Sequence, residues 1–292
     1  MNTNTHEVKA ASRLGYDENI VLPFDPIKGL WPEATYKYIF YSEFAKRAQT
    51  IYKIKIPPLL QRRMDHEAVV TGDGKIYVMG GRQYEVEEGL YGQVDIHYDK
   101  VNVLDTVECY DPQTNKWTYK TPMPSKRYLF AAVVGKDDRI YVIGGAGGWP
   151  YDENMPVLDT VDIYDPRTDS WSSGKPLPKP RESHAGVLGS DGKIYIMGGS
   201  TGAKNPPLND LLIYDQEKNK WKRGPSMRKP RALLAAVSTP DGKIYAIGGT
   251  DVGAYEGRKG LNFFLPRSAE LDTGQVQKTV EVLDITKRNL WD

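Results

Sequence analysis

Four short apolar runs punctuate an otherwise polar chain: Ile76-Tyr77-Val78-Met79, Ile140-Tyr141-Val142-Ile143, Ile194-Tyr195-Ile196-Met197 and Ile244-Tyr245-Ala246-Ile247. Each is rich in β-branched and aromatic residues and is too short for a buried helix. Each reads as a strand covered on both faces. A Gly pair closes every run, where adjacent glycines allow close backbone approach. Upstream, Asp73-Gly74, Asp191-Gly192 and Asp241-Gly242 predict two-residue hairpin turns, each leading in from a preceding strand. Those preceding strands carry small residues, Ala131-Ala132, Ala185-Gly186 and Ala235-Ala236, as the crowded axis of a radial assembly requires.

The pattern continues downstream. Tyr110-Asp111-Pro112 with Trp117, Tyr164-Asp165-Pro166 with Trp171, and Tyr214-Asp215 with Trp221 mark a third strand, a turn and the start of a fourth. The last copy has Leu283-Asp284 and Trp291, one residue longer and without the Tyr. An arginine stands 17 residues before each first Gly: Arg63, Arg127, Arg181 and Arg231. Four antiparallel strands recurring about every 50 residues make the blades of a propeller.

Gly-Gly followed by Tyr and then Trp, four times in phase between Arg63 and Trp291, resembles the kelch repeat. The resemblance implies an all-β, kelch-type β-propeller over residues 62–292, with four clear blades. Residues 1–61 lack the Gly pair. Phe24-Asp25-Pro26 and Trp31 nevertheless repeat the spacing of the third-to-fourth-strand turn. That segment reads as a degenerate N-terminal blade or as closing strands.

Composition narrows the function classes. A net charge of +1 argues against broad attraction to nucleic acid or anionic membrane. One cysteine, Cys109, excludes an internal disulfide framework and suits a reducing compartment. The first residues lack the apolar core of a signal peptide, so a cytoplasmic location is expected. No His/Cys cluster has zinc-like spacing, and no cofactor is called for.

Strand order places the second-to-third-strand loops on one face, here the upper face, with the inter-blade connections. The hairpins and Asp-Pro turns fall on the opposite, lower face. The upper loops are long and dissimilar and hold Tyr84, Glu85, Glu88 and Tyr91, then Trp149 and Tyr151. Long loops on a rigid scaffold are where binding usually sits, and aromatic side chains are typical anchors. The arginines admit two readings: each holds a neighbouring loop through backbone hydrogen bonds, or together they ring a pocket. Kelch substrate adaptors of ubiquitin ligases use arginines at matching positions to capture acidic motifs. The resemblance therefore implies a pocket of Arg63, Arg127, Arg181 and Arg231 for carboxylate or phosphate groups. On this reading Arg63, Arg127, Arg181, Arg231, Tyr84, Tyr91, Trp149 and Tyr151 bind a protein partner, including an acidic segment. The expected function is that of a non-catalytic interaction module, scaffold or adaptor. The alternative is a small carbohydrate-processing enzyme of the sialic acid mutarotase type, with arginines and a carboxylate such as Glu85 or Glu88. His66 and His184, which alternate with apolar residues, are expected to pack, and Cys109 to be a buried, inert thiol.

Overall fold

The computed structural model describes residues 56–88, 94–148, 156–202, 205–251, 277, 279–287 and 291, and the side chains of 86–99 are outside the description. All regular structure in this range is β. Strands β1 (Glu67–Val70), β2 (Ile76–Met79), β5 (Val107–Asp111) and β6 (Lys116–Lys120) make the first antiparallel sheet. The second runs β7 (Ala131–Val134), β8 (Ile140–Ile143), β9 (Val161–Asp165) and β10 (Ser170–Ser173). The third runs β11 (Ala185–Leu188), β12 (Ile194–Met197), β13 (Leu211–Asp215) and β14 (Lys220–Arg223). The fourth has β15 (Ala235–Ser238), β16 (Lys243–Ile247) and β17 (Val280–Asp284), with Trp291 bridging back to Leu283. The degenerate blade expected in residues 1–61 falls almost wholly outside the described residues, which open at Ile56.

Second strands are the densest part of the core because a blade covers each face: β8 and β12 are buried at all four positions. One apolar cluster joins the first and second blades through Met79, Val107, Ile140 and Tyr164. A second joins the second and third through Ile143, Val161, Ile194 and Tyr214. A third joins the third and fourth through Met197, Leu211, Ile244 and Trp291. Burial of apolar surface between neighbours thus recurs once per blade pair.

The hairpins differ from the two-residue turns expected. Thr71 N–H bonds Lys75 O at 3.0 Å and Gly74 N–H bonds Thr71 O at 2.9 Å, so the loop is Gly72-Asp73-Gly74. Only Gly74, at φ 81°, is left-handed, and Asp138 takes that place in the second blade at φ 62°. This is a type I turn followed by one left-handed residue. Asp73 stabilises the turn by accepting from the Thr71 hydroxyl and the Lys75 N–H.

An added element departs from the repeat. The connection from β2 to β5 carries a two-stranded hairpin, β3 (Arg82–Glu88) and β4 (Val94–Val103), with an irregularity between Tyr84 and Glu85. It sits on the upper face of the first blade.

Candidate upper-face site

The four arginines begin the inter-blade steps but do not face a pocket. Their exposure is 0–1%. Each donates from Nη1 to the carbonyl of the glycine 17 residues ahead: Arg63 to Gly80 at 2.7 Å, Arg127 to Gly144 at 3.1 Å, Arg181 to Gly198 at 3.0 Å and Arg231 to Gly248 at 2.9 Å. The constant spacing therefore records a hydrogen bond inside each blade. Each guanidinium also pairs with a carboxylate: Arg63 with Glu108 at 2.6 Å, Arg127 with Asp162, Arg181 with Asp210 in a bidentate pair at 2.9 and 3.0 Å, and Arg231 with Glu281 at 2.5 Å. A guanidinium neutralised and desolvated in this way has no face left for an external anion. The expectation that Arg63, Arg127, Arg181 and Arg231 bind an acidic segment is corrected accordingly: they lock first strand, Gly pair and third strand together.

The carboxylates reveal a compensation. Glu108, Asp162 and Glu281 sit on third strands opposite Val78, Val142 and Ala246, while in the third blade that place is Leu212, opposite Ile196. The acid has moved two residues back to Asp210, where the other blades have Thr106, Thr160 and Thr279. Gly198 N–H still finds its acceptor there, on the Asp210 carbonyl at 3.2 Å.

Of the aromatic anchors, Tyr84 is half-buried on β3, and the Arg82 guanidinium lies 5.5 Å from its ring. Tyr91, Trp149 and Tyr151 lie outside the described residues. Glu85 is exposed and pairs with Lys100 at 3.3 Å, on a hairpin face where Gln83, Val101 and Asn102 also line a shallow depression. The side chain of Glu88 is outside the description. Burial lowers His184 to about 3 and His66 to about 4, aided by Arg181 and Arg63 respectively, so both imidazoles are neutral packing groups. Cys109 is buried on β5, and burial raises its thiol. Among the described residues no group of three or more His, Cys, Asp or Glu could hold a metal. Among the same residues no helix is long and apolar enough to cross a membrane.

Residues not singled out from sequence dominate the upper face at the first-to-second-blade junction. Arg82 follows the first Gly pair, where the other blades have Ala146, Ser200 and Thr250. It pairs with Asp65 at 2.5 Å and stacks 5.0 Å from the Tyr128 ring. Its carbon neighbours Val103, Tyr128 and Ala146 form a small cluster that fastens the hairpin base over the second blade. Glu67 replaces the alanine found at 131, 185 and 235, and burial lifts its carboxyl to about 7. The usable signal was departure from the repeat, not recurrence within it.

Known proteins match much of this chain. The family described as the KLHDC2/KLHL20/DRC7 Kelch-repeats domain matches residues 34–249. The human Kelch repeat and BTB domain-containing protein 12 is 34% identical over 158 residues, 51% of this chain and 23% of that protein. Kelch-like protein 35 of Mus musculus is 32% identical over 140 residues, covering 48% of this chain and 20% of its own length. Beta-scruin of Limulus polyphemus is 34% identical over 150 residues, covering 50% and 14%. The matched segments span less than a quarter of each of these relatives. With its four in-phase blades and a family match over most of its length, the chain belongs to the kelch-repeat family.

Proposed function

We propose that this chain is a non-catalytic interaction module that holds a protein partner on its upper face. The observation that carries the reading is the asymmetry of the two faces. Lower turns are short, alike in the blades that have them, and internally tied: Tyr110, Tyr164 and Tyr214 donate to Asn115, Asp169 and Asn219 in them. Upper connections run Gly80–Thr106, Gly144–Thr160, Gly198–Asp210 and Gly248–Thr279 and differ in length and sequence. A rigid base with dissimilar loops on one side suits recognition. With the arginines consumed by the blades, recognition rests on the β3–β4 hairpin, with Tyr84 and Lys100, and on the loop bearing Trp149 and Tyr151.

The test compares faces on the intact protein. Tagged wild-type chain captures partners, and affinity for a captured partner is then measured for upper variants Lys100→Glu, Trp149→Ala and Tyr151→Ala and lower variants Lys75→Ala and Gln113→Ala. At least one upper variant should lose about 30-fold or more, the equivalent of about 2 kcal/mol. Both lower variants should bind as wild type does. Loss confined to the lower variants places the partner on the other face.

A further inference from the structure

The fourth strand of a blade is the last in its sheet and leaves one main-chain edge without a neighbour. In the third blade that strand is β14. Gly224 N–H donates to Leu211 O at 2.9 Å, and Trp221 stands opposite Tyr214. The alternation of an antiparallel ladder then turns the main chain of Lys220 and Lys222 inward to β13 and that of Trp221 and Arg223 outward. The outward N–H and C=O groups bond no described residue. The second blade repeats the arrangement in β10, where Gly174 N–H donates to Val161 O at 2.8 Å and Trp171 stands opposite Tyr164.

Charge separates these edges. Strand β14 reads Lys220-Trp221-Lys222-Arg223, with its three cations exposed. Exposed Lys175 is held against it, with its N–H on Asn219 Oδ1 at 2.6 Å and its carbonyl on the Trp221 indole. Strand β10 reads Ser170-Trp171-Ser172-Ser173, and β6 keeps lysines only at its two ends. Edge lysines commonly keep other strands away. The serines of β10 show that this fold does not require them for that purpose. Cations on the lower face are matched by an acid two residues away: Lys75 by Asp73, Arg167 by Asp165 and Lys193 by Asp191, each at 2.8 Å. Among the described residues, Lys175, Lys220, Lys222 and Arg223 have no acid within ion-pair distance. In a chain of net charge +1, the rim of the third blade is thus a local excess of positive charge.

The cations flank the edge on both sides. Lys220 and Lys222 share one side with Ile213, which packs at the third-to-fourth junction. Arg223 shares the other with Trp221, which packs on Tyr214 at the second-to-third junction, where Lys175 lies. We propose that the third blade takes an extended acidic segment of a protein partner as a fifth strand, laid along β14. The main chain of that segment pairs with Trp221 and Arg223, and its carboxylates meet Lys220 and Lys222 on one side and Arg223 and Lys175 on the other. A nucleic acid or an anionic lipid surface meets the charges but has no alternating N–H and C=O groups for the open edge. The rim lies apart from the upper face, and binding there is independent of what the upper face holds.

The experiment uses the full chain and, as probe, a fluorescein-labelled Glu-Asp-Thr-Val repeat peptide followed by anisotropy. Affinity is compared among wild type, the double variant Lys222→Glu with Arg223→Glu, and the double variant Ser172→Glu with Ser173→Glu, which makes the same change on β10. All four positions are exposed. The probe is also N-methylated at every second residue, in two versions that block alternate sets of N–H groups. Binding should weaken as salt rises and fall about tenfold or more in the β14 variant, with no loss in the β10 variant. One methylated probe should lose about tenfold or more and the other should bind as the parent does. Undetectable binding of the parent probe, or equal affinity of wild type and the β14 variant, overturns the proposal. Equal affinity of the two methylated probes also overturns it, because charge alone is then at work. Single-stranded DNA or phosphatidylserine vesicles that bind more tightly than the probe, and are lost in the same variant, overturn it in favour of that occupant.

Discussion

Arg181 and Asp210 show how a single position carries the fold. The guanidinium is buried, whereas the Asp210 side chain is 25% exposed, in contrast to the fully buried Arg63–Glu108 pair. Removing one member of a buried pair leaves an uncompensated charge, at a cost of about 3–5 kcal/mol. The third blade permits a more discriminating test. Asp210→Thr alone strips Arg181 of its carboxylate, and Leu212→Glu alone places a second carboxylate beside Asp210. The double variant restores the arrangement of the other three blades. A favourable coupling of about 1–3 kcal/mol is expected from the four apparent stabilities in urea. Simple additivity would show that Glu cannot serve Arg181 from position 212. The arginines were legible in the sequence as a 17-residue beat, and of the two roles it left open the blades use the backbone hydrogen bond, not the pocket. A beat shared by every copy is what the repeat itself needs, and a binding residue has no reason to recur in each blade. Arg82 and Glu67, which break the pattern, were the better candidates.

At the scale of elements, the turn between third and fourth strands acts as a clip on the neighbouring blade. Asp169, left-handed at φ 51°, accepts from the Tyr164 hydroxyl at 2.6 Å and from Thr121 N–H at 2.9 Å. Trp171, two residues on, donates to the carbonyl of the same Thr121. Asn219 and Trp221 hold Lys175 in the same way. Asp169→Asn reproduces the first and third blades and should leave the melting temperature within a degree or two. Asp169→Gly suits the backbone but deletes the acceptor, leaving the Tyr164 hydroxyl unpaired, and should cost about 1–3 kcal/mol. Equal melting of the two variants would mean the clip contributes nothing. Sequence spacing located these turns because Asp-Pro and a Trp seven residues after Tyr are local signals. The β3–β4 hairpin went unread because its cue, alternation over Val94–Val103, lay inside what looked like an irregular loop. The three-residue loops were misjudged for a related reason: Asp-Gly also fits a longer turn in which Gly alone is left-handed.

Across the whole molecule, each of the three largest apolar clusters among the described residues is shared by two adjacent blades, and none spans three. Stability should then be a sum of nearest-neighbour interfaces. Met79→Ala opens the first-to-second junction and Ile244→Ala the third-to-fourth, each costing about 2–5 kcal/mol. Their combination should equal the sum to within about 0.5 kcal/mol. A larger discrepancy would reveal coupling carried around the ring. The number of well-formed blades and their boundaries were readable from residue order alone, since each blade is built from consecutive chain. Faces and closure were not, because they depend on which surfaces meet after the blades are set side by side.

The bonds that carry the chain from blade to blade rely heavily on main-chain atoms: glycine N–H to arginine carbonyl, left-handed N–H to left-handed carbonyl, indole to whatever residue occupies the connection. Thr121, Lys175, Pro57 and Pro225 all serve the indole equally well, since only their carbonyl is used. Such a joint does not inspect the identity of its neighbour. A duplicated or transplanted unit would meet a socket that already fits it, so descent by copying whole units costs this architecture little. Divergence is then free to accumulate in the upper loops beyond their bases, which alone are tied to the next blade, as Leu104, Leu158 and Leu208 are through their carbonyls.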